Sequence, residues 1–218
     1  SINFPRHTIH YPLSTIHYPL IMTTLLSPSF LDLAHQLADT SGTIIRSYFR
    51  AKLVVEDKTD ATPVTIADRA AEQAMRELIT QSYPEHGIVG EETGVTHPEA
   101  DYVWVLDPID GTKSFITGKP LFCVLIALLY QGQPILGVID QPILRERWIG
   151  GQGVLTTLNG QAVQVRPCTN VKQAILYATS PHMFKGEDAN AFARLREVVK
   201  LSLYGCDGYA YALLAMGF

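Results

Sequence analysis

Two aspartates three residues apart, Asp107 and Asp110, lie in the string Trp104-Val-Leu-Asp107-Pro-Ile-Asp110-Gly-Thr112, and Glu91, in Gly90-Glu91-Glu92, stands sixteen residues before the first of them. Carboxylates at this spacing behind an apolar run, Tyr102 to Leu106, are how a buried strand delivers hard oxygen ligands into a turn. Pro108 fixes its own φ, and Gly111 lets the backbone approach a bound group closely. Asp107 and Asp110 then face one point, the Ile109 carbonyl lies between them, and Glu91 adds another carboxylate. An oxygen-only set favours Mg²⁺ over zinc, which takes His and Cys. The pattern points to metal-dependent phosphate chemistry. Set against it, Asp-Pro and Asp-Gly pairs are also ordinary turn chemistry.

The elements that must position these residues follow from periodicity. Phe30, Leu33, Ala34, Leu37, Ala38, Ile44, Ile45 and Tyr48 recur at helical spacing from Ser29 to about Arg50, with Ser29 as N-cap. Leu53 to Glu56 reads as a short strand and Asp57 to Pro63 as a loop. Thr65 to Gln81 reads as a second helix capped by Thr65, with Asp68 completing a loose capping box. Gly87 to Gly90 and Tyr102 to Leu106 read as strands, each ending at a carboxylate. Phe122 to Tyr130 and Ile135 to Ile139 form a long hairpin around Gln131 to Pro134, Arg145 to Ile149 adds a strand, and Asn159-Gly160 marks a tight hairpin. Ala174 to Thr179 is a strand, Asp188 to Lys200 a helix, Leu201 to Tyr204 a strand, and Asp207 to Met216 a last helix. Helices first, then adjacent strands, then alternating elements argue for a layered α/β structure.

Composition bounds the function. The 218 residues are 47% hydrophobic and 17% charged, as in an ordinary globular enzyme, and the net charge of −4 comes without a basic block. Nucleic-acid binding through a positive surface is therefore not expected. No apolar stretch approaches the roughly 20 residues of a membrane-spanning helix. Cys123, Cys168 and Cys206 are odd in number, without CxxC spacing, and read as reduced thiols of an intracellular protein.

The beginning differs from the rest. Thr8-Ile-His-Tyr-Pro-Leu13 recurs as Thr15-Ile-His-Tyr-Pro-Leu20, and Pro12 and Pro19 exclude a coiled coil. Residues 1–31 hold one basic residue, Arg6, and no acidic one. Two readings stand: a piece of an acid-poor transit peptide, or translated upstream sequence with Met22 as the start. Either makes residues 1–28 a disordered or non-native extension, with His7, His10 and His17 in a tail rather than a metal site.

Three motifs in order, Pro63-Val-Thr65-Ile-Ala-Asp68, Gly90-Glu91-Glu92 and Asp107-Pro-Ile-Asp110-Gly-Thr112, resemble the inositol monophosphatase family of Mg²⁺-dependent phosphatases. Lys58 to Asp68, Asp101 to Gly118, Thr179-Ser-Pro-His-Met-Phe184 and Tyr204 to Leu214 look like its histidinol-phosphatase branch. The resemblance covers about Phe30 to Phe218. It implies an αβαβα sandwich of the inositol monophosphatase and fructose-1,6-bisphosphatase type over residues 29–218, and two or three Mg²⁺ ions per site. Glu91, Asp107 and the Ile109 carbonyl match the ligands of a first ion, and Asp107 bridges to a second that Asp110 also holds. Asp68 and Thr112 match the pair that orients and deprotonates the attacking water, with Glu92 as a helper. Glu91, Asp110, Gly111 and Thr112 would meet the substrate phosphate, and Asp207 matches a carboxylate on the substrate side. The metals offset the dianionic charge of the ester, and no covalent enzyme intermediate is needed.

Plainer roles compete for several residues. Asp68 suits a helix start, Glu92 a solvated neighbour of Glu91, and Asp207 a helix cap. Thr117-Gly-Lys119 lacks the upstream glycine spacing of a phosphate loop, Lys113 suits an ordinary surface, and a lone His182 is usually structural. In the family the last helix continues into a strand and an Asp of the second metal site, whereas this chain stops at Ala215-Met-Gly217-Phe218. The fold is therefore expected to be incomplete at its C-terminus, with a weakened second site and uncovered sheet edges. A chain extended through that Asp is expected to hydrolyse esters far faster.

The implied activity is hydrolysis of L-histidinol phosphate in histidine biosynthesis. Inositol monophosphatase or 3'(2'),5'-bisphosphate nucleotidase activity is the runner-up, and a truncated non-catalytic fragment is the rival of another class. The implied partner is a small phosphate monoester, with neither nucleic acid nor membrane. Family members commonly pair, and an exposed apolar hairpin from Phe122 would suit a homodimer. The compartment reads as cytoplasmic, or as plastid or another organelle if residues 1–28 belong to a transit peptide.

Overall fold

The computed structural model describes residues 26–51 and 63–218. The N-terminal repeat, the strand expected at Leu53 to Glu56 and nearly all of the following loop lie outside the described residues.

Two helices open the fold. Helix α1, Pro28–Tyr48, buries Leu33, Ala34, Leu37, Ala38 and Ile45 along one stripe. It starts earlier than Ser29: Ser27 holds the cap position and Pro28, whose φ suits a helix start, opens the first turn. Helix α2, Pro63–Ser82, likewise begins with proline, so Thr65 lies inside it rather than capping it. Asp68 consequently belongs to no capping box. It shares a buried stripe with Ala71, Glu72, Met75 and Ile79, the three- and four-residue spacing of one helix face. Two carboxylates on a core-facing stripe are costly unless they have partners or a task.

The main sheet has eight strands in the order β2-β1-β3-β4-β5-β6-β7-β8. These are β1 Gly87–Gly90, β2 Gly94–Thr96, β3 Tyr102–Asp110, β4 Cys123–Tyr130, β5 Gln133–Gln141, β6 Glu146–Gly151, β7 Val154–Leu158 and β8 Gln161–Ala162. Strands β1 and β3 are parallel, and the other neighbours are antiparallel. The helix α3, Thr112–Ile116, follows β3 directly. The expected hairpin and the Asn159-Gly160 turn are present. The first of these turns on Gln131 and Gly132, because Tyr130 pairs with Gln133. Pro134 falls inside β5, at a register shift where a missing N–H is tolerated.

The core lies between α1, α2 and one face of this sheet, where Trp104, Leu106, Phe122, Val124, Ile126 and Leu128 meet the helix stripes. This corrects the expected dimer surface. Strand β4 sits in the middle of the sheet, and Phe122, Cys123 and Val124 are fully buried, so the apolar hairpin is core. Helix α5, Tyr209–Ala215, packs on the opposite face through Tyr209 and Ala212, against Cys123 and Trp148. Strands β9, Ile175–Ala178, and β10, Leu201–Tyr204, form a second, parallel sheet connected by helix α4, Gly186–Val198. The result is a layered arrangement of helices and mixed sheet.

Candidate active site

The parallel pairing of β1 with β3 creates the site. Gly90 lies opposite Leu106, and the backbone N–H of Glu91 donates to the Leu106 carbonyl at 3.2 Å, one residue before Asp107. Strand β3 does not end at Leu106, as periodicity suggested, but runs on to Asp110. Its pairing with β4 shifts register between Asp107 and Asp110, where Pro108 has no N–H to give the ladder. The two aspartates therefore sit on a bulge of a central strand instead of in a free turn. Gly111 then turns the chain into α3 with φ of 94°, a conformation L side chains rarely adopt. A Cβ there would also press on Oδ2 of Asp207 and the Phe122 backbone, at 3.0 and 3.1 Å.

The carboxylate of Glu91 lies beside that of Asp107. Burial, then the charges of Glu91 and Asp110, push the Asp107 carboxyl up to about 8. Its Oδ1 is buried and, among the described residues, has no hydrogen-bond partner. Asp68 is pushed up to about 8 as well, by burial first and then by Glu92, Glu91 and Glu72, against a hydrogen bond from the Ile109 backbone. Burial raises Asp110 too, opposed by the Gly208 N–H. Among the described residues no Lys or Arg forms an ion pair with Glu91, Asp107 or Asp110, while Glu92 lies 3.5 Å from Arg69. Gathered carboxylates without a cation, one with an orphaned oxygen, are what a divalent cation relieves. The donors are all oxygen, which suits Mg²⁺. Among the described residues no group of three or more Asp, Glu, His or Cys side chains is placed to hold a metal ion. An open set of two carboxylates and a carbonyl still fits an ion that keeps several waters and takes one or two carboxylates.

Ile109 joins the other two expected residues. Its N–H bonds Asp68, and its carbonyl accepts from the Thr112 hydroxyl at 3.3 Å. Asp207 does not cap α5, since Gly208 occupies the cap position. It stands in a turn where Gly205, Cys206 and Asp207 all have positive φ, and its carboxylate borders Gly111. A cavity of about 470 Å³ is lined by Gly111, Thr112, Lys113, Lys119, Ser180 and Asp207. Lys113 thus lines the site, whereas His182 is exposed and bonds Ser180 through its backbone at 3.2 Å. On the sheet face bearing Asp107, a groove of about 640 Å³ passes from Glu91 and Asp107 over Leu125 and Ile139 to Trp148 and Ala215.

Two residues that sequence reasoning missed hold the Glu91 turn. Glu72, fully buried, accepts from Arg76 Nε at 2.8 Å, from the backbone N–H groups of Glu92 and Thr93 at 2.8 and 3.1 Å, and from the Thr93 hydroxyl. Burial works against its charge, yet the hydrogen bonds from Thr93, Arg76 and Glu92 prevail and hold its carboxyl below the ordinary range. Arg76 also donates to the Gly94 carbonyl. A signal was available, since Glu72 lies four residues after Asp68, one turn along the same face.

The profile of the inositol monophosphatase family matches residues 28–218. The chain belongs to that family. It is 60% identical over 191 residues to the protein named bifunctional phosphatase IMPL2, chloroplastic, of Arabidopsis thaliana, across 87% of this chain and 55% of that protein. It is 37% identical over 190 residues to the histidinol-phosphatase of Chlorobaculum parvum, across 86% of this chain and 73% of that one. The solved structure of an inositol monophosphatase from Zymomonas mobilis superimposes with a TM-score of 0.80 at 46% identity, covering 88% of this chain and 75% of its own. The chain thus spans little more than half of the Arabidopsis relative, and the layered fold is that of the family.

Proposed function

We propose that this chain serves hydrolysis of a small phosphate monoester, with L-histidinol phosphate as the substrate and Mg²⁺ as the cofactor. The observation that carries the reading is the orphaned Oδ1 of Asp107 beside Glu91, in a cluster of carboxylates that lacks a cationic partner among the described residues. Glu91, Asp107 and the Ile109 carbonyl would hold one ion, and Asp107 with Asp110 a second. Bound Mg²⁺ supplies positive charge opposite the phosphate dianion and the leaving oxygen.

The chain's own residues do the rest. Asp68 and Thr112, joined through Ile109, orient the attacking water, and Asp68 takes its proton. A carboxylate whose environment raises its proton affinity is suited to that task. Glu92 assists beside it. Gly111 and Thr112 receive the phosphate oxygens, and Asp207, which lines the same cavity, meets the substrate's ammonium or imidazolium. The histidinol-phosphatase named among the relatives supports this substrate. A second reading, inositol 1-phosphate, draws on the inositol monophosphatase of Zymomonas mobilis.

Phosphate release from histidinol phosphate and inositol 1-phosphate, with and without Mg²⁺, tests the reading. The expected result is Mg²⁺-dependent release with kcat/KM at least about tenfold higher for histidinol phosphate, a difference of roughly 1.4 kcal/mol. Preference for inositol 1-phosphate would favour the second reading, and no release from either would favour a non-catalytic fragment. The chloroplastic name of the Arabidopsis relative supports an organellar location over a cytoplasmic one. Fractionating cells and detecting the native protein with an antibody tests this, and recovery in the cytosol alone would refute it.

A further inference from the structure

We propose that Glu72 is a positioning residue for the metal site, its buried carboxylate holding the backbone of Glu92 and Thr93 so that Glu91 is aimed at Asp107. This rests on the reading of Glu91 and Asp107 as Mg²⁺ ligands.

The turn after β1 carries Glu91 and is closed by the pairing of Gly90 with Gly94. Glu91 itself is exposed, and its N–H donates to the Leu106 carbonyl. Glu72 adds a hold on the turn residues themselves from α2. Oε2 accepts from the Glu92 N–H at 2.8 Å, and Oε1 accepts from the Thr93 N–H at 3.1 Å and from the Thr93 hydroxyl. Arg76, one turn further along α2, donates to Oε1 at 2.8 Å and also reaches the Gly94 carbonyl and, at 3.2 Å, the Thr96 hydroxyl on β2. The two side chains of α2 thus grip both limbs of the turn.

The space is reserved for this contact. A Cβ on Gly90 would collide with Oε1 and Cδ of Glu72 and with a guanidinium nitrogen of Arg76. Only glycine at 90 lets the carboxylate lie against the backbone one residue before Glu91. A buried carboxylate is expensive and is retained where its charge-assisted bonds fix something. Here the fixed element is the backbone on either side of a metal ligand. The same helix carries Asp68 one turn earlier, so α2 sets the water-activating carboxylate and the Glu91 turn from a single rigid body.

Calorimetric titration of the protein with Mg²⁺ tests this directly, beside steady-state kinetics. Glu72→Gln keeps the shape but sets an amide donor against backbone donors. It is expected to weaken Mg²⁺ binding about tenfold or more, the scale seen when a ligand's supporting hydrogen bonds are removed. The KM for the phosphate ester at saturating Mg²⁺ should change less than about twofold. Gly90→Ala, which displaces Glu72 from the turn, should weaken Mg²⁺ binding in the same sense, and Thr93→Val, which removes one hydroxyl, should do so by a few-fold if Glu72→Gln fails to fold. Met75→Ala, which destabilises α2 through the apolar core, should leave Mg²⁺ affinity unchanged. Wild-type affinity in all three turn variants, or an equal loss in Met75→Ala, would overturn the role of Glu72. Wild-type protein that takes up no Mg²⁺ would refute the metal reading of Glu91 and Asp107 instead, and this inference with it.

Discussion

The backbone N–H of Gly208 is donated to Oδ2 of Asp110, joining the start of α5 to the bulge of β3 across 98 residues of sequence. Asp110 is thereby held from the face of the sheet opposite α1 and α2. The turn that brings Gly208 there also sets Asp207 beside Gly111.

Substitution at Gly208 should therefore damage the site without removing any of its carboxylates. A Cβ at this position would collide with Oδ2 of Asp110. Displacing a reacting or ligating group by about 1 Å can cost on the order of 10²-fold in rate. Gly208→Ala is expected to lower kcat/KM on that scale while the circular dichroism spectrum stays that of the wild type. Unchanged kinetics would mean that Asp110 is not needed where Gly208 holds it.

Asp107 should show the opposite signs of effect on folding and on function. Its Oδ1 is buried without a partner among the described residues, and Glu91 and Asp110 crowd it with like charge. Asp107→Asn removes one carboxylate from that cluster. In Mg²⁺-free buffer the variant should melt a few degrees higher than the wild type, since about 1 kcal/mol is worth roughly 2–4 °C in a chain of this size. Phosphate release should fall by about 10³-fold, corresponding to several kcal/mol of lost charge stabilisation. A variant that melts lower, or retains activity, would contradict the assignment.

A pH effect is expected far from the carboxylates. His86 is buried, stacked on Tyr83 at 4.5 Å, and its Nδ1 accepts from Trp104 Nε1 at 3.1 Å. Burial lowers its pKa, against the charge of Glu85. The unfolded chain, with a histidine pKa of about 6.5, therefore takes up the proton first on acidification. Stability from this group is complete above that pH and is lost as the pH falls toward the folded value, with a slope of at most about 1.4 kcal/mol per pH unit. His86→Gln removes the titration and keeps an acceptor for Trp104. The difference in melting temperature between wild type and variant should shift between pH 7 and pH 5 in favour of the variant. A difference independent of pH would show that His86 is not held neutral.

The site was legible in the sequence where chemistry needs an uncommon residue string. Asp107, Ile109, Asp110 and Thr112 lie within one six-residue string, and Glu91 precedes it by sixteen residues, so pattern alone singles them out as candidates. What escaped depends on tertiary packing. Glu72 reads as a solvent-facing helix residue until α2 is docked on the sheet, because its partners are backbone groups twenty residues away. Ser29 and Thr65 carry the propensity for caps, yet α1 and α2 begin at Pro28 and Pro63, because a proline can open the first turn of a helix. The apolar run from Phe122 suits an exposed pairing surface as well as a central strand, and only the strand order shows that β4 is central, with one face in the core and the other half-buried. Proline usually ends a strand, which puts the expected end of β3 at Leu106, whereas here a bulge accommodates Pro108.

The meeting of Glu91, Asp107 and the Ile109 carbonyl around one divalent cation is best tested by diffraction from crystals soaked in Mn²⁺, a Mg²⁺ substitute visible by its anomalous scattering. The expected result is an anomalous peak within about 2.5 Å of an oxygen from each of those three residues, a spacing suited to a hard cation. Crystals that take up Mn²⁺ elsewhere, or leave Oδ1 of Asp107 without a metal at saturating concentration, would contradict it.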